Sequence, residues 1–270
     1  MSKLSIQIIS DTHVEFWDKK DKFNFVRPSA PILVLSGDIG CCALESDFER
    51  YKKFINELLQ HYQHIIIIAG NHEYYYNGTG APNLSHTMQA VEKKINDFCH
   101  TSRKLHYLNN RTLKLIHNNT SYYFVGTTLW TWIPEDIRDK ISNNMNDYSH
   151  IYVADKGKPR LITPTDVANL HVKSVRYIRS QVSKARKNKY NLVVLTHHKP
   201  YISSARRPLY LNCAYESDLS ALIQPPVTLW GYGHTHIHDN STLNQVHIYS
   251  NPRGYPYEKN NYVVGESIQL

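Results

Sequence analysis

His64-Ile65-Ile66-Ile67-Ile68-Ala69-Gly70-Asn71-His72-Glu73 decides how this chain is read. The apolar run is too short to span a bilayer, and β-branching favours an extended backbone, so it reads as a strand buried on both faces. Gly70 ends it in a sharp turn. An amide, an imidazole and a carboxylate then follow at the carboxyl end of the strand, the edge of an open α/β sheet where ligands bind. Taken alone, Gly70 to Glu73 is equally well an ordinary polar turn.

Working outward, the same pattern recurs. Lys3 to Ile9 alternates and then runs apolar, stopping at Ser10-Asp11-Thr12-His13, and a spacing of two puts Asp11 and His13 on one side of the backbone. Pro31 to Leu35 is a second buried strand ending in Ser36-Gly37-Asp38. Between Ala43 and His61 the apolar positions Leu44, Phe48, Tyr51, Ile55, Leu58 and Leu59 keep helical spacing. Strand, loop, strand, helix and strand in succession specify an α/β sheet whose tips share one edge.

Downstream, 74–83 is a loop whose three tyrosines, Tyr74 to Tyr76, either stack on a base or cover the sheet edge, packing being the favoured reading. Leu84, Met88, Val91, Ile95 and Phe98 predict an amphipathic helix, followed by short strands at Leu105–Leu108, Leu113–Ile116 and Tyr122–Val125 with antiparallel pairing expected among them. Residues 127–164 form the least regular part, with Trp130, Trp132 and many Asp and Asn side chains; so long an irregular stretch in a compact domain reads as an insertion bordering a site. Thr165-Asp166 caps a long helix whose basic face is read as solvated. Asn191–Thr196 and Val227–Trp230 are further buried strands, ending in His197-His198 and in Gly233-His234-Thr235-His236; Glu216–Ile223 reads as a short helix and Val246–Tyr249 as a closing strand. With no repeat or linker, residues 1–270 are expected to form one domain.

Composition narrows the classes. The chain has 270 residues, 41% of them hydrophobic, enough for a substantial core. It carries no apolar stretch near the roughly 20 residues of a membrane span, and Met1 to Ile6 leads into a strand instead of a signal core, so a cytoplasmic location is expected. Cys41, Cys42, Cys99 and Cys213 form no Cys-x-x-Cys pair and fit reduced thiols. A net charge of +8 suits polyanionic or phosphate-bearing partners without identifying one.

Five strand ends thus carry Asp11/His13, Asp38, Asn71/His72, His197/His198 and His234/His236. Oxygen and imidazole donors in that number exceed the needs of one ion and suit a pair of borderline divalent metals, Mn, Zn, Fe or Ni. Such a pair can hold both the attacking and the leaving oxygen of a phosphoryl displacement.

Asp11-x-His13, Gly37-Asp38, Gly70-Asn71-His72-Glu73, the histidine after Thr196, and Gly233-His234-x-His236, in that order, resemble the calcineurin-like metallophosphoesterase superfamily. The resemblance spans nearly the whole chain. It implies a four-layer αββα sandwich with two central mixed β-sheets and a binuclear site at the strand carboxyl ends. It also implies Asp11, His13 and His236 on one metal, Asn71, His197 and His234 on the other, Asp38 bridging, and attack on phosphorus by a metal-bound hydroxide. His198 is the reserve for His197. His72 is expected to contact phosphate and protonate the leaving group, oriented by Glu73 or another carboxylate. Asn251-Pro252-Arg253-Gly254-Tyr255 and Asn146-Asp147-Tyr148 resemble prokaryote-type cytosolic members, which makes Arg206, Arg207 and Arg253 candidates for substrate phosphate, surface ion pairs being the alternative.

The leading expectation is a binuclear metal-dependent phosphoesterase acting on phosphodiesters, with small phosphate esters or nucleotides as substrates. A nuclease on polynucleotides, suggested by the charge, and a phosphomonoesterase are the rivals within the enzymes. A catalytically silent scaffold that binds proteins is the rival outside them, opposed by the complete ligand set. Gly-x-x-x-x-Gly-Lys and Gly-x-Ser-x-Gly are both missing, which excludes a P-loop ATPase and an α/β-hydrolase-type serine enzyme.

Overall fold

The computed structural model describes residues 3–17, 23–203 and 208–270. In chain order it contains β1 (Ser5–Ile9), β2 (Ile32–Ser36), α1 (Glu45–Leu59), β3 (His64–Ile68), α2 (Met88–Cys99), β4 (Leu105–Tyr107), β5 (Arg111–His117) and β6 (Thr120–Thr127). It continues through α3 (Arg138–Ser142), α4 (Asp147–His150), β7 (Tyr152–Asp155), β8 (Lys158–Leu161), α5 (Pro164–Asn188), β9 (Asn191–Thr196), β10 (Val227–Tyr232), β11 (Asp239–Leu243), β12 (Val246–Ser250) and β13 (Ile268–Gln269).

Two mixed sheets stack face to face. One has the order β13-β1-β2-β3-β4 and the other β11-β12-β10-β9-β6-β5; β7 and β8 make a separate ribbon. The inner strands of both are parallel, and antiparallel neighbours β13, β5 and β11 close three of the edges. Side chains alternate between two cores, which is why these strands read as continuous apolar runs. Ile6, Ile8, Val34, Ile66 and Ile68 face Phe124, Val193, Leu195 and Leu229 between the sheets. Leu33, Leu35, Ile65 and Ile67 point the other way onto Phe48, Tyr51, Phe54 and Ile55 of α1 and Val91 and Ile95 of α2. Val194, Trp230 and Ile248 pack outward on Ile178, Val182 and Ala185 of α5. The result is the expected α/β sandwich, two central sheets flanked by helices.

Several local expectations are corrected. The predicted helix from Leu84 breaks: Asn83 caps a separate 3-10 turn, Leu84–His86, leaving Leu84 exposed, and α2 starts only at Met88. β4 does not join the antiparallel run but pairs parallel with β3, while β5 and β6 form the hairpin, its Asn118 and Asn119 both at positive φ as a tight turn requires. Residues 127–164 are not structureless, since they hold α3, α4 and the β7–β8 ribbon. α5 begins at Pro164, with Thr163 as its cap and Asp166 completing a capping box. Between Glu216 and Ile223 only Ser220–Leu222 is helical, as a 3-10 turn. No helix among the described residues is long and apolar enough to cross a membrane.

Candidate metal centre

Each singled-out motif follows a strand: Asp11 and His13 follow β1, Asp38 β2, Asn71 and His72 β3, His197 β9, and His234 and His236 β10. β1, β2 and β3 run parallel in one sheet and β9 and β10 in the other, so each sheet presents its tips along one edge, and the two edges meet at the site. Backbone bonds lash the tips together, Asp11 N–H donating to Gly37 O at 2.9 Å, His13 N–H to Asp38 O at 3.0 Å and Gly233 N–H to His197 O at 2.9 Å.

Three groups of possible metal donors form among the described residues, two of them of strand-tip residues only: Asp11, His13 and His236 form one and Asp38, His197 and His234 the other, while the third joins His13 to Glu15 and His72. His13 Nε2 lies 3.2 Å from His236 Nε2, and His236 Nε2 lies 3.4 Å from Asp11 Oδ1. In the second cluster His197 Nε2 stands 3.1 Å from His234 Nδ1, 3.1 Å from Asn71 Oδ1 and 3.4 Å from Asp38 Oδ2. Donors on a common ion with bonds of ~2.0–2.2 Å stand about 3.0–3.4 Å apart, so both clusters fit a divalent cation as they are.

The outward nitrogen of three of these imidazoles is engaged by oxygen: His13 Nδ1 by Glu15 Oε1 at 3.2 Å, His197 Nδ1 by Ser36 O at 2.9 Å, His236 Nδ1 by Glu258 Oε2 at 2.6 Å. That pairing aims each Nε2 inward and raises its basicity. Asn71 is oriented likewise: its Nδ2 donates to Asp147 Oδ1 at 2.8 Å, and Tyr75 OH donates to the same oxygen at 2.6 Å, turning Oδ1 toward His197.

The backbone is bent to suit. Asp11, His13, Asp38, His234 and His236 all take positive φ, between 46° and 67°, a region that costs a non-glycine residue free energy. Three motif glycines leave room for the donors. A Cβ on Gly70 would stand 2.2 Å from Asp38 Oδ1, one on Gly37 2.3 Å from His197 Nδ1, and one on Gly233 2.8 Å from Asp11 Oδ2.

Charge is distributed to match. Burial opposes protonation of His197 and His236, but Asp38 beside the first and Asp11 and Glu258 beside the second raise each to about 9. Burial also opposes ionisation of Asp38, yet His197, His72 and His13 hold it well below the usual carboxylate range. Such a site gives up protons when cations replace them.

His72 sits beside the clusters, its Nδ1 3.2 Å from Glu15 Oε1 and its Nε2 3.4 Å from Tyr255 OH. Burial opposes its protonation, and the carboxylates of Asp38 and Glu15 outweigh burial and raise it above the ordinary imidazole value. The carboxylate that orients His72 is therefore Glu15, not Glu73. Glu73 instead accepts from the backbone N–H groups of Asp38, Ile39 and Gly70, at 3.0, 2.8 and 2.6 Å, pinning the β2 and β3 tips to each other.

The other expected residues separate. His198 belongs to neither cluster: its ring packs on His234 with centroids 4.2 Å apart, its Nδ1 lies 3.1 Å from Thr128 O, and burial together with His197 lowers it to about 3. The Arg253 guanidinium stacks over Trp17 and Phe25, at 5.0 and 5.8 Å from their ring centres, away from the cleft. Arg206 and Arg207 lie outside the described residues. A cleft of about 280 Å³ opens over the clusters, lined by Asp38, Asn71, His72, His234 and His236, by Tyr75, Tyr215 and Tyr255, and by Asn144 to Asn146 of the 127–164 segment. Glu15, Tyr75, Asp147, Tyr255 and Glu258 are the participants that sequence reasoning left without a role. Tyr75, Asp147 and Tyr255 lie in segments that the sequence singled out without giving them these contacts, and the spacing Asp11-x-His13-x-Glu15 extends the alternation one step to Glu15.

Comparison with known proteins agrees with this geometry. An uncharacterised protein of Acanthamoeba polyphaga mimivirus is 30% identical over 280 residues, covering 95% of this chain and 93% of its own. Among solved structures, phosphopantetheinyl hydrolase from Mycobacterium tuberculosis superposes with a TM-score of 0.67 at 15% identity, covering 94% of this chain and 91% of that one. A dimetal phosphatase from Danio rerio gives 0.52 at 10% identity, covering 94% and 88%. At these identities the two structures speak for the fold alone. The signature of the calcineurin-like phosphoesterases matches residues 4–238, and the chain belongs to that family of metal-dependent phosphoesterases.

Proposed function

We propose that this protein hydrolyses phosphodiesters at a two-metal centre, with Asp11, His13 and His236 holding one divalent ion, Asn71, His197 and His234 the other, and Asp38 shared between them. The observation that carries this is the meeting of two donor clusters where the carboxyl edges of the two sheets come together, each with ligand atoms already spaced for a cation. When bound, the ions supply Lewis acidity toward a phosphoryl oxygen and lower the pKa of water.

The protein's own groups do the rest. Asp147 fixes the Asn71 amide and Glu15 fixes His72, so neither must reorganise as charge develops. His72 lines the cleft, Asp38 and Glu15 favour its protonated form over burial, and it donates its proton to the departing oxygen. Selection among esters falls to the residues over the clusters, Tyr75 from the 74–83 loop and Asn144 to Asn146 from the 127–164 segment.

A small ester or nucleotide fits better than a polynucleotide. No Lys or Arg among the described residues lines the cleft. A groove that tracks a nucleic-acid backbone is instead positively charged along its length. Manganese is the metal we favour, and the Asn251–Tyr255 and Asn146–Tyr148 segments support kinship with prokaryote-type cytosolic members. Metal analysis of the purified chain should find up to two transition ions, and bis-p-nitrophenyl phosphate should be cleaved with Mn²⁺. Full activity in both Asp38→Ala and His72→Ala would sink the mechanism.

A further inference from the structure

The outer side of α5 carries cations without the acids that normally accompany them. Lys173, Arg176, Lys184 and Lys187 fall within an arc of about 80° and along about 21 Å of helix axis, and Arg179 and Arg186 make a second row beside them. All six are exposed, and from Val167 to Tyr215 the chain has no Asp or Glu. None of the six is ion-paired among the described residues, although the field of Lys173 reaches Glu92. Thr112 Oγ1 lies 2.8 Å from Tyr177 OH, so β5 runs beside the helix, and Lys114, on the same strand face as Thr112, adds a further charge.

A merely solvated helix looks different in this same protein. On α1 and α2, Lys52 pairs with Glu49, Lys53 with Glu57 and Lys93 with Asp97, three or four residues apart. At that spacing α5 sets Lys173 against Arg176, Arg176 against Arg179 and Lys184 against Lys187, which repel. The helix dipole favours Arg186 and Lys187 in the last turn, but it gives nothing to Lys173, Arg176 and Arg179 in the middle turns.

We infer that this face of α5 binds nucleic acid through the phosphate backbone, without reading its sequence. A duplex carries one negative charge per about 1.7 Å of axis, so about 21 Å of it sets roughly a dozen phosphates against the two rows. A bilayer fits worse, because an interfacial helix buries its apolar side in lipid, and here Ile178, Val182 and Ala185 are already packed on Val194, Trp230 and Ile248. A protein partner fits worse too: Val172 is the one large apolar side chain that α5 exposes, too little for the apolar centre of a protein interface. The surface is separate from the cleft, since α5 ends beside the start of β9, and the six residues of β9 run about 20 Å before His197 is reached.

The test is fluorescence anisotropy of a labelled DNA duplex and of an RNA strand of equal length, with the Mn²⁺-loaded full chain, as salt is varied. Four phosphate contacts give a slope of about −3.6 in log K against log salt, or about 100-fold weaker binding at 200 than at 50 mM. Combining Arg176→Gln, Lys184→Gln and Lys187→Gln should flatten the slope by about 3, and Arg179→Gln with Arg186→Gln by about 2, with bis-p-nitrophenyl phosphate cleavage unchanged in both. Lys52→Gln, Lys53→Gln and Lys93→Gln together remove as much charge from α1 and α2 and should change the slope by less than about 1. Slopes unmoved by both α5 variants, or moved equally by the α1 and α2 variant, overturn the inference. So does failure of the wild type to bind either nucleic acid, whether or not the same rows then hold vesicles of anionic phospholipid.

Discussion

Adding one methyl group at Gly70 should damage the centre from behind. The new Cβ of Gly70→Ala would stand 2.2 Å from Asp38 Oδ1, 2.6 Å from Asp38 N and 2.7 Å from His197 Cε1, against an ordinary contact of 3.4–4 Å. The Asp38 backbone cannot retreat freely, because its N–H is held by Glu73 Oε2 at 3.0 Å and the same oxygen takes Gly70 N–H at 2.6 Å. Relief therefore requires about 1 Å of movement in two donors at once. Overpacking of this kind costs about 1–3 kcal/mol, or a melting temperature lower by roughly 2–12 °C for a chain of this size. Misplacement by about 1 Å costs on the order of 100-fold in turnover. Gly80→Ala is the internal control, its nearest neighbour being Tyr76 OH at 3.8 Å, and its stability should change by less than about 1 kcal/mol. Melting curves with and without chelator, and kcat/KM on bis-p-nitrophenyl phosphate, decide the matter. If Gly70→Ala matches Gly80→Ala in both, the close packing of the strand tips is not what shapes the site.

Asp147→Ala removes the shorter bond of Asn71 Nδ2 and the acceptor of Tyr75 OH, leaving the amide held only by its 3.2 Å bond to Tyr75 OH, and metal affinity measured by competition with a chelator should fall about 10- to 100-fold. Glu15→Gln removes one of the carboxylates that raise His72, so the alkaline limb of the pH–rate profile, where the acid loses its proton, should move to lower pH; an unmoved limb would separate His72 from the proton transfer. Away from the site, His106 is pulled down to about 4 by burial and by the neighbouring His64. Its folded value lies below the ordinary ~6.5, so the unfolded chain binds more protons between the two. That contribution to stability is complete above about pH 6.5 and is lost as pH falls toward 4, and urea titrations of His106→Gln across this window should show a shallower acid loss.

Continuous runs such as Ile65 to Ile68 and Leu192 to Leu195 identified strands buried on both faces, because nothing but a core on each side accommodates four successive apolar side chains. A polar cluster after each run located the ligand edge, since a parallel strand can present such residues only at its tip. The donor residues Asp11, His13, Asp38, Asn71, His197, His234 and His236 were therefore legible from order and position. Where local signals were weak, the reading failed: the three residues of β4 carry too little pattern to choose a partner, and β3 chose it.

What only the tertiary structure decided is everything that depends on distance between remote segments. The preference for His197 over His198 follows from which ring the β9 tip turns toward Asp38, and two adjacent histidines cannot announce that. Glu15 replaces Glu73 as the partner of His72 because Glu73 is consumed by three backbone donors that converge only when β2 and β3 lie side by side. Asp147 reaches Asn71 from 76 positions away, Tyr255 reaches His72 from 183 and Glu258 reaches His236 from 22, separations no local pattern encodes. Sequence determined which side chains could be ligands, through their chemistry and their places after strands. Packing determined which nitrogen faces inward and which carboxylate is free to help.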